Sequence, residues 1–312
     1  MAIESKPSNS RSESPPALQK ADPKSEASKA VLCQGYCFAT VTIWALTNTF
    51  IRMLVPYYTA LSMVALRLVF ATAAMIIVLA VKKYKLPPVK DLPYFAIAGL
   101  TAYISSSATG SLAMSTIDAT TCSVIVATSP VFTAIAAFVL FKEKIRPLGW
   151  IAIAIEFFGI VLLSYIRGSF TLASGIIFAF VPALSVCIYN LLLRRISKSY
   201  TPLEISVWAI FCATLMSLPF LPKAVTEFTA APLSTLPVLV FLGVISHGVA
   251  FLLWSMALSI TQKTSSVSNW MFVTPILTAF TSFLILSELP DFATYCGGSV
   301  ILIGLILFQK FK

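Results

Sequence analysis

Ten apolar runs, each about long enough to cross a bilayer as a helix, divide this chain: roughly 33–54, 59–81, 92–114, 119–141, 148–166, 173–193, 203–221, 236–259, 265–287 and 293–309. A hydrocarbon core about 30 Å thick takes about 20 apolar residues in a helix, and Pro, Gly or charged residues punctuate the gaps. Hydrophobic residues make up 58% of the 312 and charged residues 11%, against about 45–50% and 25% in soluble domains. A water-soluble globule cannot cover that much apolar side chain with polar surface. The pattern predicts an all-α polytopic membrane protein with ten transmembrane helices. It excludes a soluble enzyme, a nucleic-acid binder and a single-anchor receptor. Residues 1–30, rich in Ser, Pro, Lys, Glu and Ala without an apolar run, read as a disordered cytoplasmic tail and not as a signal peptide.

The net charge of +10 is a matter of topology here, because Lys and Arg in short loops hold those loops on the cytoplasmic side. With the amino terminus inside and ten spans, eighteen of the 22 Lys and Arg fall on inside segments. Arg167 and Lys223 fall outside, Arg52 sits near the outer end of the first span, and Arg67 lies within the second. Both termini are therefore expected in the cytoplasm, with the plasma membrane as the expected location. The six cysteines (33, 37, 122, 187, 212 and 296) lie in or beside apolar runs without a zinc or redox spacing, and read as small core residues.

The chain also repeats itself. A shift of 145 residues lays SPVFTAIAAFVLFKE (129–143) on TPILTAFTSFLILSE (274–288), pairing Pro130 with Pro275, Thr133 with Thr278, Phe138 with Phe283 and Glu143 with Glu288. Gly159 then meets Gly304, and a shift of 142 pairs Asn48 with Asn190 and Arg52 with Arg194. The halves, 31–167 and 168–312, would each hold five spans. Five is odd, so the second half is inverted relative to the first, an arrangement found in secondary transporters whose site lies where the halves meet.

These features, with Arg67 in the second span and a Pro-bearing fourth and ninth span ending in Glu143 and Glu288, resemble the drug/metabolite transporter superfamily, and within it the EamA-type permeases. The resemblance covers about 33–310. It implies a central cavity between spans 1–4 and 6–9, with spans 5 and 10 set aside as scaffold. Family members move amino acids and other small metabolites, usually outward, while relatives carry nucleotide sugars or triose phosphates. Arg67 matches a recurrent family arginine, which implies a gating or structural role.

Polar residues at membrane depth are functional candidates, although interhelical hydrogen bonds use them too. Thr40, Trp44 and Asn48 share a face at four-residue spacing. Tyr103, Ser106, Ser107 and Gly110 form a second stripe, Pro182, Ser185, Tyr189 and Asn190 a third, and Gly243, His247, Phe251 and Trp254 a fourth. Ser265, Ser266, Asn269 and Trp270 precede Pro275 in the ninth span. The substrate-binding candidates are Trp44, Asn48, Tyr103, Ser107, Tyr189, Asn190, His247, Trp254, Asn269 and Trp270. For the serines, cavity lining and helix-to-helix bonding fit equally well. His247, the sole histidine, overlays Tyr103 in the repeat, so the two would form a pair across the cavity; its unperturbed pKa of about 6.5 would suit a proton-coupled step. Pro130 and Pro275 each remove a backbone donor and are expected to bend their helices, either as flex points for alternating access or as static kinks.

Glu156, also at depth, is expected to serve helix packing or a dimer contact. Gly149, Gly159, Gly297, Gly298 and Gly304 in spans 5 and 10 are compatible with a homodimer through those helices. No hydrolase, nucleotide-binding or metal motif is present, so no catalysis, cofactor or metal is expected. The expected partners are a small-molecule substrate and the lipid bilayer, with no nucleic acid. The sequence thus reads as a permease, in the exporting direction, for small polar or amphipathic metabolites such as amino acids. The alternative is an exchanger of nucleotide sugars or phosphorylated metabolites on the same fold, which would call for more than the one deep cation, Arg67.

Overall fold

In hydrocarbon no water is at hand to satisfy a backbone N–H or C=O, so apolar runs of this length close their own hydrogen bonds as helices. The computed structural model describes residues 23–82, 84–141, 145–166, 173–260, 267 and 269–311, and among them no strand occurs. In chain order the helices are α1 (Pro23–Leu54), α2 (Ala60–Lys82), α3 (Leu92–Gly99), α4 (Ser106–Met114), α5 (Ala119–Val126), α6 (Ser129–Phe141) and α7 (Pro147–Ile166). There follow α8 (Ala173–Ile196), α9 (Pro202–Ser217), α10 (Leu221–Ala230), α11 (Thr235–Val240), α12 (Phe251–Ile260), α13 (Val273–Leu286) and α14 (Phe292–Phe311). Among the described residues, six helical stretches are long and apolar enough to cross a membrane, and three shorter apolar helices accompany them. The chain is an all-helical, polytopic integral membrane protein.

The structure departs from the predicted runs at informative places. Helix α1 starts at Pro23, ahead of the predicted apolar start. The predicted third and eighth runs are each continuous helices with a π stretch inside, Leu100–Ser105 between α3 and α4 and Phe241–Ala250 between α11 and α12. Such i→i+5 stretches often mark functional sites. The predicted fourth run breaks into α5 and α6 at Ala127 and Thr128. Pro130 explains the break, since its ring clashes with the carbonyl four residues back, at Val126. Thr128 Oγ1 helps by donating to the Ile125 carbonyl at 2.6 Å. In the same way Pro275 lies just after a 3₁₀ turn, Asn269–Phe272. Both prolines thus occupy first turns of α-helices, where the sequence predicted bends within helices: Pro130 follows a break, and Pro275 follows a change from 3₁₀ to α winding without one. The predicted seventh run extends through α9 and α10 to Ala230, and Glu227 Oε2 there accepts the Thr59 N–H at 2.8 Å.

Polar caps set several helix starts. Asp118 accepts the Thr121 N–H at 2.7 Å to begin α5, and Asp291 accepts the Thr294 N–H at 2.8 Å to begin α14. Thr201 and Glu204 form a reciprocal capping box on α9. Helix α13 ends at Ser287, which takes a left-handed backbone with φ 54°.

Helices α7 and α14 lie against each other along their lengths. A Cβ at Gly159 would stand 2.7 Å from Ile301 Cγ1, and one at Gly304 would stand 2.6 Å from Glu156 Cγ. These glycines are therefore used for close approach within the chain. Glu156 is buried in this seam, with neither carboxylate oxygen bonded among the described residues. The six cysteines are free thiols; four are buried and Cys212 and Cys296 are half-buried.

Candidate functional site

Helices α1, α2, α4, α5, α8 and α12, the two π stretches and the start of α13 converge on a cavity with about 740 Å³ of empty space, mouth included. Neither α7 nor α14 contributes a lining residue. The wall has two characters. Trp44, Ile51, Met114, Val126, Phe251 and Met271 supply apolar surface, while Asn48, Ser106, Ser107, Ser123, Ser246 and Thr274 supply hydroxyls and an amide. Arg67 and His247 complete it.

Helix α1 presents Trp44 and Asn48 one turn apart, as their spacing requires. Asn48 Nδ2 donates to Thr278 Oγ1 at 3.4 Å, and Thr49 meets Thr281 and Ser282 hydroxyls at 2.8 and 3.1 Å, so a polar seam joins α1 to α13. Trp44 packs on Trp254 and Phe251 with ring centroids 5.0 and 5.5 Å away. His247 comes from the second π stretch and Tyr103 from the first, and their rings meet edge to face at 5.2 Å. Ser107 Oγ lies 3.1 Å from His247 Nε2, while Nδ1 has no partner among the described residues.

Of the ten candidates, Trp44, Asn48, Ser107 and His247 line the cavity. Tyr103, Tyr189, Asn190 and Trp254 stand behind its wall. Tyr103 packs on Phe251 at 4.7 Å and Tyr189 on the same ring at 5.6 Å. Tyr189 Oη is 3.3 Å from Ser255 Oγ, and Trp254 Nε1 donates to Asn190 Oδ1 at 3.2 Å. These four brace the lining aromatics. Trp270 lies away from the cavity, donating to Gln34 Oε1 at 2.6 Å and packing on Phe38. The side chain of Asn269 lies outside the described residues, as do Ser265, Ser266 and Glu143.

Arg67, assigned to gating or structure, is on the cavity wall and only 2% exposed. Its backbone is gripped by the second π stretch: a Cβ on Gly243 would stand 2.6 Å from the Arg67 carbonyl oxygen. Ser246, Thr274, Thr47, Ser123 and Met271 also line the cavity and were not singled out by the sequence. Ser246 was masked by the assumption of 3.6 residues per turn. The π register puts it beside His247 on the wall while Gly243, on the expected stripe, turns to α2. Among the serines both expected roles occur, since Ser106, Ser107, Ser123 and Ser246 line the cavity, whereas Ser185 and Ser105 bond to each other at 3.2 Å across α8 and the first π stretch.

At one end, Arg52 Nη1 donates to the Met114 carbonyl at 2.6 Å, and Arg52 Nη2 lies 3.2 Å from Glu288 Oε1. Because Met114 lines the cavity, this cluster ties α1, α4 and the end of α13 together beside it.

Comparison with known proteins follows the same outline. The chain is 25% identical over 273 residues to the uncharacterized transporter YdfC of Bacillus subtilis, covering 87% of this chain and 89% of that one. It is 24% identical over 273 residues to a probable terminal-alkyne amino-acid exporter of Streptantibioticus cattleyicolor, covering 87% and 91%. The uncharacterized inner membrane transporter YedA of Escherichia coli is 32% identical over 131 residues, 42% of each chain. A solved crystal structure shares the fold at a TM-score of 0.58 and 17% identity, covering 90% of this chain and 96% of that one. The model of the EamA-like transporter family matches residues 32–165 and again residues 173–309. By that double match over most of its length, the chain belongs to the EamA-like transporter family.

Proposed function

We propose that the protein is a secondary transporter that exports small amphipathic metabolites, amino acids among them, by alternating access. The observation that carries this reading is the cavity, whose lining combines hydroxyls and an amide with aromatic and aliphatic side chains and comes from both halves of the chain. The likeness to the probable terminal-alkyne amino-acid exporter of Streptantibioticus cattleyicolor supports the amino-acid class and the outward direction. In this reading ten spans form two inverted five-span repeats, both termini are cytoplasmic and the protein works at the plasma membrane. The break before α6 and the 3₁₀ turn before α13 border the cavity at Ala127 and Met271 and would be where the two halves flex. A homodimer through α7 and α14 would use their outer faces, where Phe158, Val161, Ile303 and Ile306 are exposed, because the glycine faces are closed within the chain.

Arg67 favours a second reading, an exchanger of phosphorylated metabolites. One buried cation is a weak match for a dianionic group, so this ranks below the first. Counterflow separates them. The purified protein is reconstituted in liposomes preloaded with unlabelled amino acids or sugar phosphates, and uptake of each labelled form is followed without an imposed gradient. Protein-dependent exchange of amino acids that drops at least about tenfold in Asn48→Ala is the expected result. Exchange confined to sugar phosphates would overturn the first reading in favour of the second.

A further inference from the structure

Resting on the transporter reading, the cavity's charge pattern names the chemical class of what binds there. Arg67 is buried, and only its Nη2 has a partner, Ser246 Oγ at 3.5 Å, the outer limit of a hydrogen bond. Its Nε and Nη1 are unbonded among the described residues. Guanidinium keeps its charge in proteins, and a buried charge without a counter-ion is strongly unfavourable. Among the described residues that line the cavity there is no Asp or Glu. Among the described residues the other buried Asp, Glu, Lys or Arg side chain, Glu156, lies in the α7–α14 seam, away from the cavity.

Two more of the lining residues carry a buried polar atom without a partner among the described residues, His247 at Nδ1 and Thr274 at Oγ1. A guanidinium edge offers two parallel N–H donors that match the two oxygens of a carboxylate. The same wall offers no carboxylate for an ammonium group, and its remainder, with Trp44, Phe251 and Met271, suits an apolar body. A single cation also matches a monoanion better than a phosphate dianion. We propose that the cavity binds amphipathic monocarboxylates, with Arg67 anchoring the carboxylate and an α-ammonium group dispensable.

The test is direct binding to the full-length purified protein, read by titration calorimetry, with five ligands that share one ring: phenylalanine, 3-phenylpropionate, 3-phenylpropionamide, 2-phenylethylamine and phenyl phosphate. The two carboxylates should bind, and the amide and amine should bind about tenfold or more weakly. Arg67→Gln should abolish the preference for acid over amide, and Arg67→Lys should retain part of it. The inference is overturned if the amide or amine binds as well as the acid, if phenylpropionate fails where phenylalanine binds, if phenyl phosphate binds best, if nothing binds, or if Arg67→Gln keeps the acid preference. Should Arg67→Gln fail to fold, the acid-to-amide ratio of the wild-type protein decides by itself. Carboxylates that bind but do not exchange across liposomes would sink the transporter reading and leave this one standing. Exchange of the amine in place of the acid would do the reverse.

Discussion

His247 shows how a single side chain at membrane depth is held. Ser107 fixes Nε2 at 3.1 Å, and Tyr103 and Phe251 hold the ring edge to face at 5.2 and 6.4 Å. Aromatic pairs of this kind contribute about 0.5–1.5 kcal/mol beyond burial, and the hydrogen bond about 1 kcal/mol. Ser107→Ala should therefore lower the melting temperature in detergent by about 2 °C and slow exchange, while Ser107→Thr keeps the hydroxyl and should slow it less. A thermal-shift series with paired counterflow checks this, and equal loss in both variants would show that side-chain size matters more than the bond. At this scale the sequence was informative about residue type and uninformative about direction. Trp44 and Asn48 could be read from their spacing because α1 is regular. Ser246 and Thr274 could not, because one sits in a π register and the other beside a proline.

Among the elements, the Arg52–Glu288 contact matters most for how the helices move. Both side chains are partly exposed, at 32% and 26%, so the ion pair alone is worth at most about 1 kcal/mol. Its position gives it more consequence than its energy, since it couples α1 to the end of α13 and to the last turn of α4 beside the cavity. Arg52→Glu alone sets two carboxylates together, and should slow exchange about fivefold, as about 1 kcal/mol implies. Adding Glu288→Arg should recover most of that rate, though not all, because the bond from Arg52 to the Met114 carbonyl is lost. A double-mutant cycle on exchange rates measures the coupling, and a double variant no faster than the single would refute it. The prolines behind the break before α6 and the 3₁₀ turn before α13 were visible in the sequence; that both places border the cavity was not, because a proline specifies where a helix is disturbed and not what it faces.

For the whole molecule, the distribution of charge makes a prediction about topology. Lys85 belongs to the inside set and Lys223 to the outside set. With Lys223→Cys, a membrane-impermeant maleimide should label intact cells, whereas Lys85→Cys should label only after permeabilisation. The unsubstituted protein serves as the blank, four of its six cysteines being buried. Labelling of residue 85 from outside would invert the orientation.

What the sequence determined by itself was the solvent and the class of the protein. Crossing a bilayer depends on the local sum of apolar residues, and that sum can be read along the chain without any knowledge of neighbours. The repeated motifs and the family likeness are equally local. Tertiary structure alone decided which polar groups share a space: Arg67, Ser246, His247 and Thr274 come from α2, a π stretch and α13. It likewise turned Tyr189, Asn190 and Trp254 into supports behind the wall and used Gly159 and Gly304 inside the chain. The physical reason is that a helix buried on several sides has no single apolar stripe to reveal its rotation. Packing at small residues, π registers and proline breaks set that rotation, and each of them depends on residues far away in sequence.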